Sequence, residues 1–308
     1  MSDNAGRARR ATLLILFSAG CFGAIAILTT IAIGSGARLI DVLVWRYVIA
    51  AALLVVVSGG PSVVRATGRR AIPLTLLAGG GQAVIAFVTL SALRYIPAAT
   101  LTFLFYTYPA WVAVIAAVRG VERLTAIRCV ALALSLSGIA LMVGTPGSGG
   151  LHPIGATLAL SAALLYALYV PLINRLGTGL APAVTSTFAA GGAGLVLILA
   201  SIPQGGPRLQ LAPLAWASIV ALAVLCTVIA FIVFLRGLAI IGPVRTAIIS
   251  TVEPFWTALL GSVVLGQQLG PRTFAGGSLI AVAVILLQWQ PRADVEAAAA
   301  RPGAVQPD

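Results

Sequence analysis

Apolar runs long enough to cross a bilayer recur along this chain, and no other feature restricts its fold as strongly. A helical span needs about 20 predominantly apolar residues. Such runs are found ten times, at roughly residues 11–33, 40–58, 72–93, 97–118, 126–144, 153–174, 183–202, 214–237, 243–265 and 273–290. They are continuous rather than alternating, which excludes a transmembrane barrel. With 60% hydrophobic and 8% charged residues, the chain cannot be a soluble domain. The expected fold is an all-α membrane protein of ten transmembrane helices, with the lipid bilayer as its first partner.

The net charge of +12 would suit nucleic acid, but its distribution points elsewhere. All 19 basic residues are arginine, and most lie between the runs. Fourteen fall on one side of the membrane. Only Arg38, Arg94, Arg208 and Arg272 fall on the other, and Arg46 lies inside a span. Cytoplasmic loops carry the excess of basic residues, so both termini are expected in the cytoplasm and no nucleic-acid partner is implied. Cys21, Cys129 and Cys226 lie in or beside spans with no paired spacing, implying neither disulfide nor metal. The basic segment before the first run, with Ser18-Ala19-Gly20-Cys21 inside it, resembles a cleavable leader. The run continues for a dozen residues past Cys21, so a retained first helix is expected, with Ser18, Phe22 and Thr29 on one face.

The stretch Gly242–Gln268 carries Glu253 near its middle, followed at once by Pro254. An intramembrane carboxylate costs several kcal/mol unless it is paired or faces water, which makes it a functional-site hypothesis. Proline there removes a backbone donor, tolerated only where protein or a cavity satisfies the backbone. Thr246, Ser250, Glu253 and Thr257 share one helical face, a polar seam. Glu253 either lines a cavity or serves as a plug for the backbone that Pro254 opens. Arg46, beside Trp45 in the second span, either snorkels outward or supplies a counter-charge or anion contact. Gln82 and Thr89 form a weaker seam in the third span. The fourth is aromatic, with Phe103, Phe105, Tyr106, Tyr108 and Trp111 around Pro109, and the sixth has Tyr166 and Tyr169 before Pro171. Small residues in the fifth span (Ala131, Ser135, Gly138) and the tenth (Gly276, Gly277, Ala281, Ala283) admit close helix approach, within one chain or in a homodimer. The seventh, despite Gly191, Gly192 and Gly194, reads as bland, and the loop histidine His152 as inert.

An internal repeat orders these observations. Residues 92–124 align with 237–269: Pro109 meets Pro254, Trp111 meets Trp256, and Tyr108 falls where Glu253 stands. Upstream, Val84–Val88 recurs as Val228–Ile232. The chain thus divides into halves at 1–145 and 150–290, with an Ala- and Pro-rich tail at 291–308 expected to be a disordered cytoplasmic end. Five spans per half is odd, so the halves enter the membrane in opposite senses. Inverted repeats are the architecture of secondary transporters, with the site near the midplane where broken helices meet. Pro109 and Pro254 are the expected hinges.

In these features the chain resembles the drug/metabolite transporter superfamily, in particular its EamA-type exporters. The likeness spans residues 11–290 and rests on Arg46, Pro109, the Glu122-Arg123-Leu124 turn and Glu253-Pro254. Gln267-Gln268 departs from the Glu-Arg usual at the second turn. The resemblance implies a bacterial inner-membrane exporter of amino acids or other small metabolites. It also implies a cavity lined by the first, third, fourth, sixth, eighth and ninth helices. YddG-type exporters of aromatic amino acids are similar in architecture, and the mid-span Tyr and Trp residues would suit such a ligand.

The expected function is secondary transport by alternating access. Glu253 would bind the ligand amine or take a coupling proton, and Arg46 would bind a carboxylate or pair with Glu253. Gln82, Ser250, Tyr108, Trp111, Tyr166, Tyr169 and Trp256 would complete the substrate cavity. Passive facilitation, and export of drugs or lipid-like compounds on the same fold, are the alternatives. An enzyme is not expected: the chain has no lysine for a phosphate loop, and one loop histidine with one mid-span acid makes no catalytic constellation. No cofactor is implied.

Overall fold

A backbone that crosses lipid must satisfy its own polar groups, and this chain does so entirely with helix. The computed structural model describes residues 2–92, 95–96, 101, 104–120, 125–143, 152–265 and 270–288, and no strand is present among them. Helix α1 is Ser2–Gly34 and α2 is Leu39–Val57. A short helix, Pro61–Ala66, leads towards α3, which runs through Ala71–Pro73, a π-helical Leu74–Gly79 and Gly80–Ala92. The described part of α4 is Tyr108–Val118, preceded by a helical Leu104-Phe105. Helices α5 (Ala126–Val143), α6 (Pro153–Leu176) and α7 (Pro182–Ser201) follow.

Next come Pro213–Ala223, a π-helical Val224–Ile229 and Ala230–Ser250, the last kinked at Gly242 with φ 76° and ψ 170°. Only glycine adopts that backbone readily, so Gly242 with Pro243 marks the turn between α8 (213–241) and α9. Helix α9 resumes as Glu253–Leu265 after a two-residue break at Thr251-Val252, and α10 is Pro271–Gln288. The ten-helix expectation holds. Six helical runs are long and apolar enough to cross a membrane, Pro213–Ser250 being long enough for α8 and half of α9. Shorter apolar helices, Tyr108–Val118, Ala126–Leu141 and Phe274–Leu286, stand at the remaining positions. The first helix starts nine residues earlier than hydropathy alone suggests, because Arg7, Arg9 and Arg10 extend it. The turn Glu122-Arg123-Leu124, its counterpart Gln267-Gln268, Phe103 and the tail 291–308 lie outside the described residues.

The packing follows the repeat. Helix α1 lies against α8 and α9, just as α6 lies against α3 and α4, and the pairs α2–α7 and α5–α10 each join equivalent helices. Small residues make these approaches possible. A Cβ on Gly138 of α5 would sit 2.6 Å from the Gly276 carbonyl of α10. The small faces of α5 and α10 therefore close on each other within one chain, which removes the sequence argument for using them in a homodimer. Helix α7 is not bland: Gly192 lies so close to Thr75 and Gly79 of α3 that neither glycine has room for a side chain. The halves are interlocked, with Leu43, Val44 and Tyr47 of α2 packed with Ala190, Ala193 and Leu197 of α7. Val42 of α2 meets Ile219 and Leu222 of α8.

Candidate functional site

A cavity of about 230 Å³ opens inside the bundle, lined by α1, α2, α3, α4, α6, α7, α8 and α9. Expectation named six of these; α2 and α7 are added, through Leu39, Leu43, Arg46 and Tyr47, and through Ala189 and Ala190. The two broken helices build one wall. Helix α4 is interrupted at Tyr106-Thr107 and α9 at Thr251-Val252, and new helices begin at Tyr108 and at Glu253. Each break is tied locally: Thr107 Oγ1 donates to the Leu104 carbonyl and Thr251 Oγ1 to the Ile248 carbonyl, both at 2.6 Å.

The prolines act differently from an interior kink. Pro109 and Pro254 are the second residues of their half-helices. A missing N–H costs little there, because first-turn donors have no intrahelical partner. They fix where each half-helix starts.

Glu253 is the first residue of its half-helix, where the helix dipole favours a negative charge. Its carboxylate lies beside the Tyr106 hydroxyl and within electrostatic reach of Arg46 across the cavity. Among the cavity-lining residues it is the sole acid and Arg46 the sole base. The two do not pair. Arg46 Nε instead donates to Thr227 Oγ1 at 2.8 Å, and Nη2 approaches the Cys226 carbonyl at 3.5 Å. Both acceptors belong to the π-helical turn of α8, and Thr227 Oγ1 also donates five residues back, to the Leu222 carbonyl, at 2.9 Å. The guanidinium carbon lies 5.2 Å from the centre of the Tyr47 ring. Arg46 is buried, so it does not snorkel to the surface.

Aromatic rings close the remaining wall. Tyr108 and Tyr166 meet edge to face at 4.8 Å, and Phe105 lies 5.5 Å from Tyr166. Tyr108 lies beside Ser250 on the cavity wall, and its hydroxyl reaches the Ala247 carbonyl at 3.4 Å. Opposite, Gln82 Nε2 donates to the Tyr47 hydroxyl at 3.0 Å, and the buried Thr89 hydroxyl has no partner among the described residues.

Of the expected cavity residues, Glu253, Arg46, Tyr108, Gln82, Tyr166 and Ser250 come together here. Three do not. Trp111 is 40% exposed and faces away from the cavity, its helix start having been set one turn earlier by Tyr108. Trp256 packs against α1, where Gly23 leaves it room: a Cβ there would be 3.0 Å from the Trp256 Cβ. Tyr169 is buried behind the lining, its ring over Gly81, with Tyr166 between it and Tyr108. The polar seam of α9 also divides at the break. Ser250 and Glu253 line the cavity, Thr246 is buried, and Thr257 donates to Gly23 of α1 at 3.1 Å. In α1, Phe22 and Thr29 line the cavity, while Ser18 is buried and bonded to its own helix. His152 begins α6 and packs on Tyr95 at 5.0 Å. Beyond the expected set the cavity also takes in Tyr47, which gave no signal in the sequence, Thr227, and Tyr106, whose mid-span place beside Tyr108 and Pro109 already pointed to a pocket.

A profile of the EamA-like transporter family matches residues 9–144 and again 153–289. The chain belongs to the EamA-like transporter family. The family fits the two-repeat bundle and makes the chain a multi-pass membrane protein of a small-molecule transporter family, not of an enzyme family. No curated protein matches the sequence. A solved structure described only as a crystal structure of a protein superposes with a TM-score of 0.75, covering 90% of this chain and 96% of its own. At 20% identity that similarity speaks for the fold alone.

Proposed function

We propose that this EamA-family chain exports small zwitterionic metabolites, amino acids foremost, across the bacterial inner membrane by alternating access. One observation carries the reading: a carboxylate and a guanidinium face the same cavity without pairing to each other, the guanidinium being held instead by Thr227. An uncompensated pair of opposite charges inside a membrane protein is costly. A ligand with one ammonium and one carboxylate would complete both. Glu253 takes the ammonium and Arg46 the carboxylate, with Tyr108, Tyr166 and Phe105 beside the side chain.

The cavity is smaller than the roughly 300–1,000 Å³ of drug-sized pockets, which favours a small metabolite over a drug or lipid. The arginine distribution supports an orientation with both termini in the cytoplasm. Glu253 is also the group able to carry a coupling proton, since one site can alternate between ligand amine and proton.

The test is uptake into proteoliposomes of labelled Phe, Trp, Thr, Met and a polyamine, with and without an imposed pH gradient. Saturable amino-acid movement is expected, with accumulation only under the gradient. Saturable movement without accumulation would make the chain a facilitator. No movement of any amino acid would refute the substrate assignment.

A further inference from the structure

Besides its two charges and its aromatic wall, the cavity carries a neutral polar pair. Tyr47 of α2 and Gln82 of α3 both line it, and Gln82 Nε2 donates to the Tyr47 hydroxyl at 3.0 Å. An amide has a carbonyl and two N–H donors, and a phenol has one O–H donor beside its lone pairs. A single bond between them therefore leaves an acceptor at Gln82 Oε1 and a donor on each residue. No other side-chain hydrogen bond is made by Tyr47 or Gln82 among the described residues, and Gln82 Oε1 is neither bonded nor fully buried, so it stays open to the cavity. Tyr47 follows Arg46 in α2, with its ring centre 5.2 Å from the guanidinium carbon, and lies within electrostatic reach of Tyr166 on the aromatic wall. The pair thus adjoins both the pole that would take a carboxylate and the wall beside which a ligand side chain would lie.

The inverted repeat supplies an internal comparison. Tyr47 stands as far beyond the Arg38 N-cap of α2 as Ala190 stands beyond the Ala181 N-cap of α7. Gln82 precedes Val84 as Cys226 precedes Val228 in the aligned segments of α3 and α8. Both counterparts also line the cavity. Helices α7 and α8 therefore fill the same two positions with a methyl group and a weakly hydrogen-bonding thiol. The repeated backbone does not itself call for a phenol and an amide there. Arg46 departs from the repeat in the same way, since its counterpart Ala189 lines the cavity too. The neutral pair belongs with the charges as an addition to the common frame.

We infer that Gln82 and Tyr47 are specificity-determining residues that read the ligand's side chain, selecting one that ends in a carboxamide over an apolar one of the same shape. The inference rests on the zwitterion reading of the site. A carboxamide presents a donor and an acceptor side by side. Its N–H donates to Gln82 Oε1, while its C=O accepts from the Tyr47 hydroxyl or from the second Gln82 N–H. An apolar side chain displaces water from those groups and gives them nothing in return. A site with polar groups left unpaired in this way rejects the analogue that lacks the matching group.

The experiment is equilibrium binding of labelled L-glutamine to the purified full-length protein, with L-homoleucine as competitor. Homoleucine has the shape of glutamine, with methyl groups in place of the carboxamide oxygen and nitrogen. Glutamine is expected to bind at least about tenfold more tightly than homoleucine. Gln82→Leu is expected to bring the two level by weakening glutamine alone, with homoleucine held within about threefold. Tyr47→Phe leaves the amide in place and is expected to narrow the preference to about threefold. It also keeps the test decisive should Gln82→Leu not yield a monodisperse protein. A residue that merely held the helices together would weaken both ligands alike. Glutamine binding no tighter than homoleucine, a preference unchanged in whichever variant folds, or parallel weakening of both ligands overturns the inference. Binding of phenylalanine without binding of glutamine overturns it too and leaves the zwitterion reading standing. Binding of neither amino acid refutes both.

Discussion

The two helix breaks are built alike and equipped differently. At Tyr106-Thr107 and at Thr251-Val252 the chain does the same thing: a threonine ties off one half-helix, and a proline fixes the second residue of the next. At the first break the new helix begins with Tyr108, whose hydroxyl is turned to Ser250 and the Ala247 carbonyl of the other repeat. At the second it begins with Glu253, which reaches back to Tyr106 of the first break. The two breaks thus face each other, and only one contributes a charge. Repetition supplies the backbone geometry of the cavity, while departure from repetition supplies its chemistry. A strictly symmetric site would bind a symmetric ligand; this one has a charged pole at α9, an opposite pole at α2 and an aromatic wall.

The largest effect that would test this contrast is at the charged break. Glu253→Gln should abolish gradient-driven accumulation in proteoliposomes while the protein remains monodisperse and helical by circular dichroism. Arg46→Gln should follow, lowering apparent affinity for an amino acid by about a hundredfold, since a bond to a charged partner is worth about 1.5–3 kcal/mol. Its counterpart Thr227→Val leaves the charge but frees its mooring, and should cost less. At the neutral break, Tyr106→Phe removes the hydroxyl beside Glu253 and should weaken binding about tenfold, in keeping with a loss of about 1.5 kcal/mol. Smallest of all, Trp111→Phe should leave transport unchanged, because Trp111 faces away from the cavity. An effect there as large as at Tyr106 would mean that the cavity wall has been drawn on the wrong face of α4.

Much of this was legible in the sequence, for identifiable reasons. Hydropathy marks spans because lipid tolerates little else, and the Pro109/Pro254 alignment marks the breaks because the repeat preserved them. Glu253 and Arg46 stood out because charges are rare in such spans. What sequence could not supply was direction. Trp111 and Trp256 occupy equivalent positions and both miss the cavity, since a two-residue break immediately before each half-helix rotates the faces that follow. Tyr169 lies behind Tyr166 for the same kind of reason: three residues along a helix turn a side chain away from the cavity while keeping it near. Gly192 seemed unremarkable until its partner, Thr75, was known from the packing of α7 on α3. Arg38 and Asp41 are an ordinary i,i+3 pair by sequence, and only the fold brings residues 204–208 to them.

The central claim is that the cavity holds a zwitterion between Glu253 and Arg46. Equilibrium binding of labelled phenylalanine to the purified protein tests it most directly, with phenethylamine and 3-phenylpropionate as competitors. Each competitor keeps the ring and lacks one charge. The account predicts that both compete at least about a hundredfold more weakly than phenylalanine, and that Arg46→Gln erases the difference between phenylalanine and phenethylamine. Competition by either analogue as strong as by phenylalanine itself would contradict it.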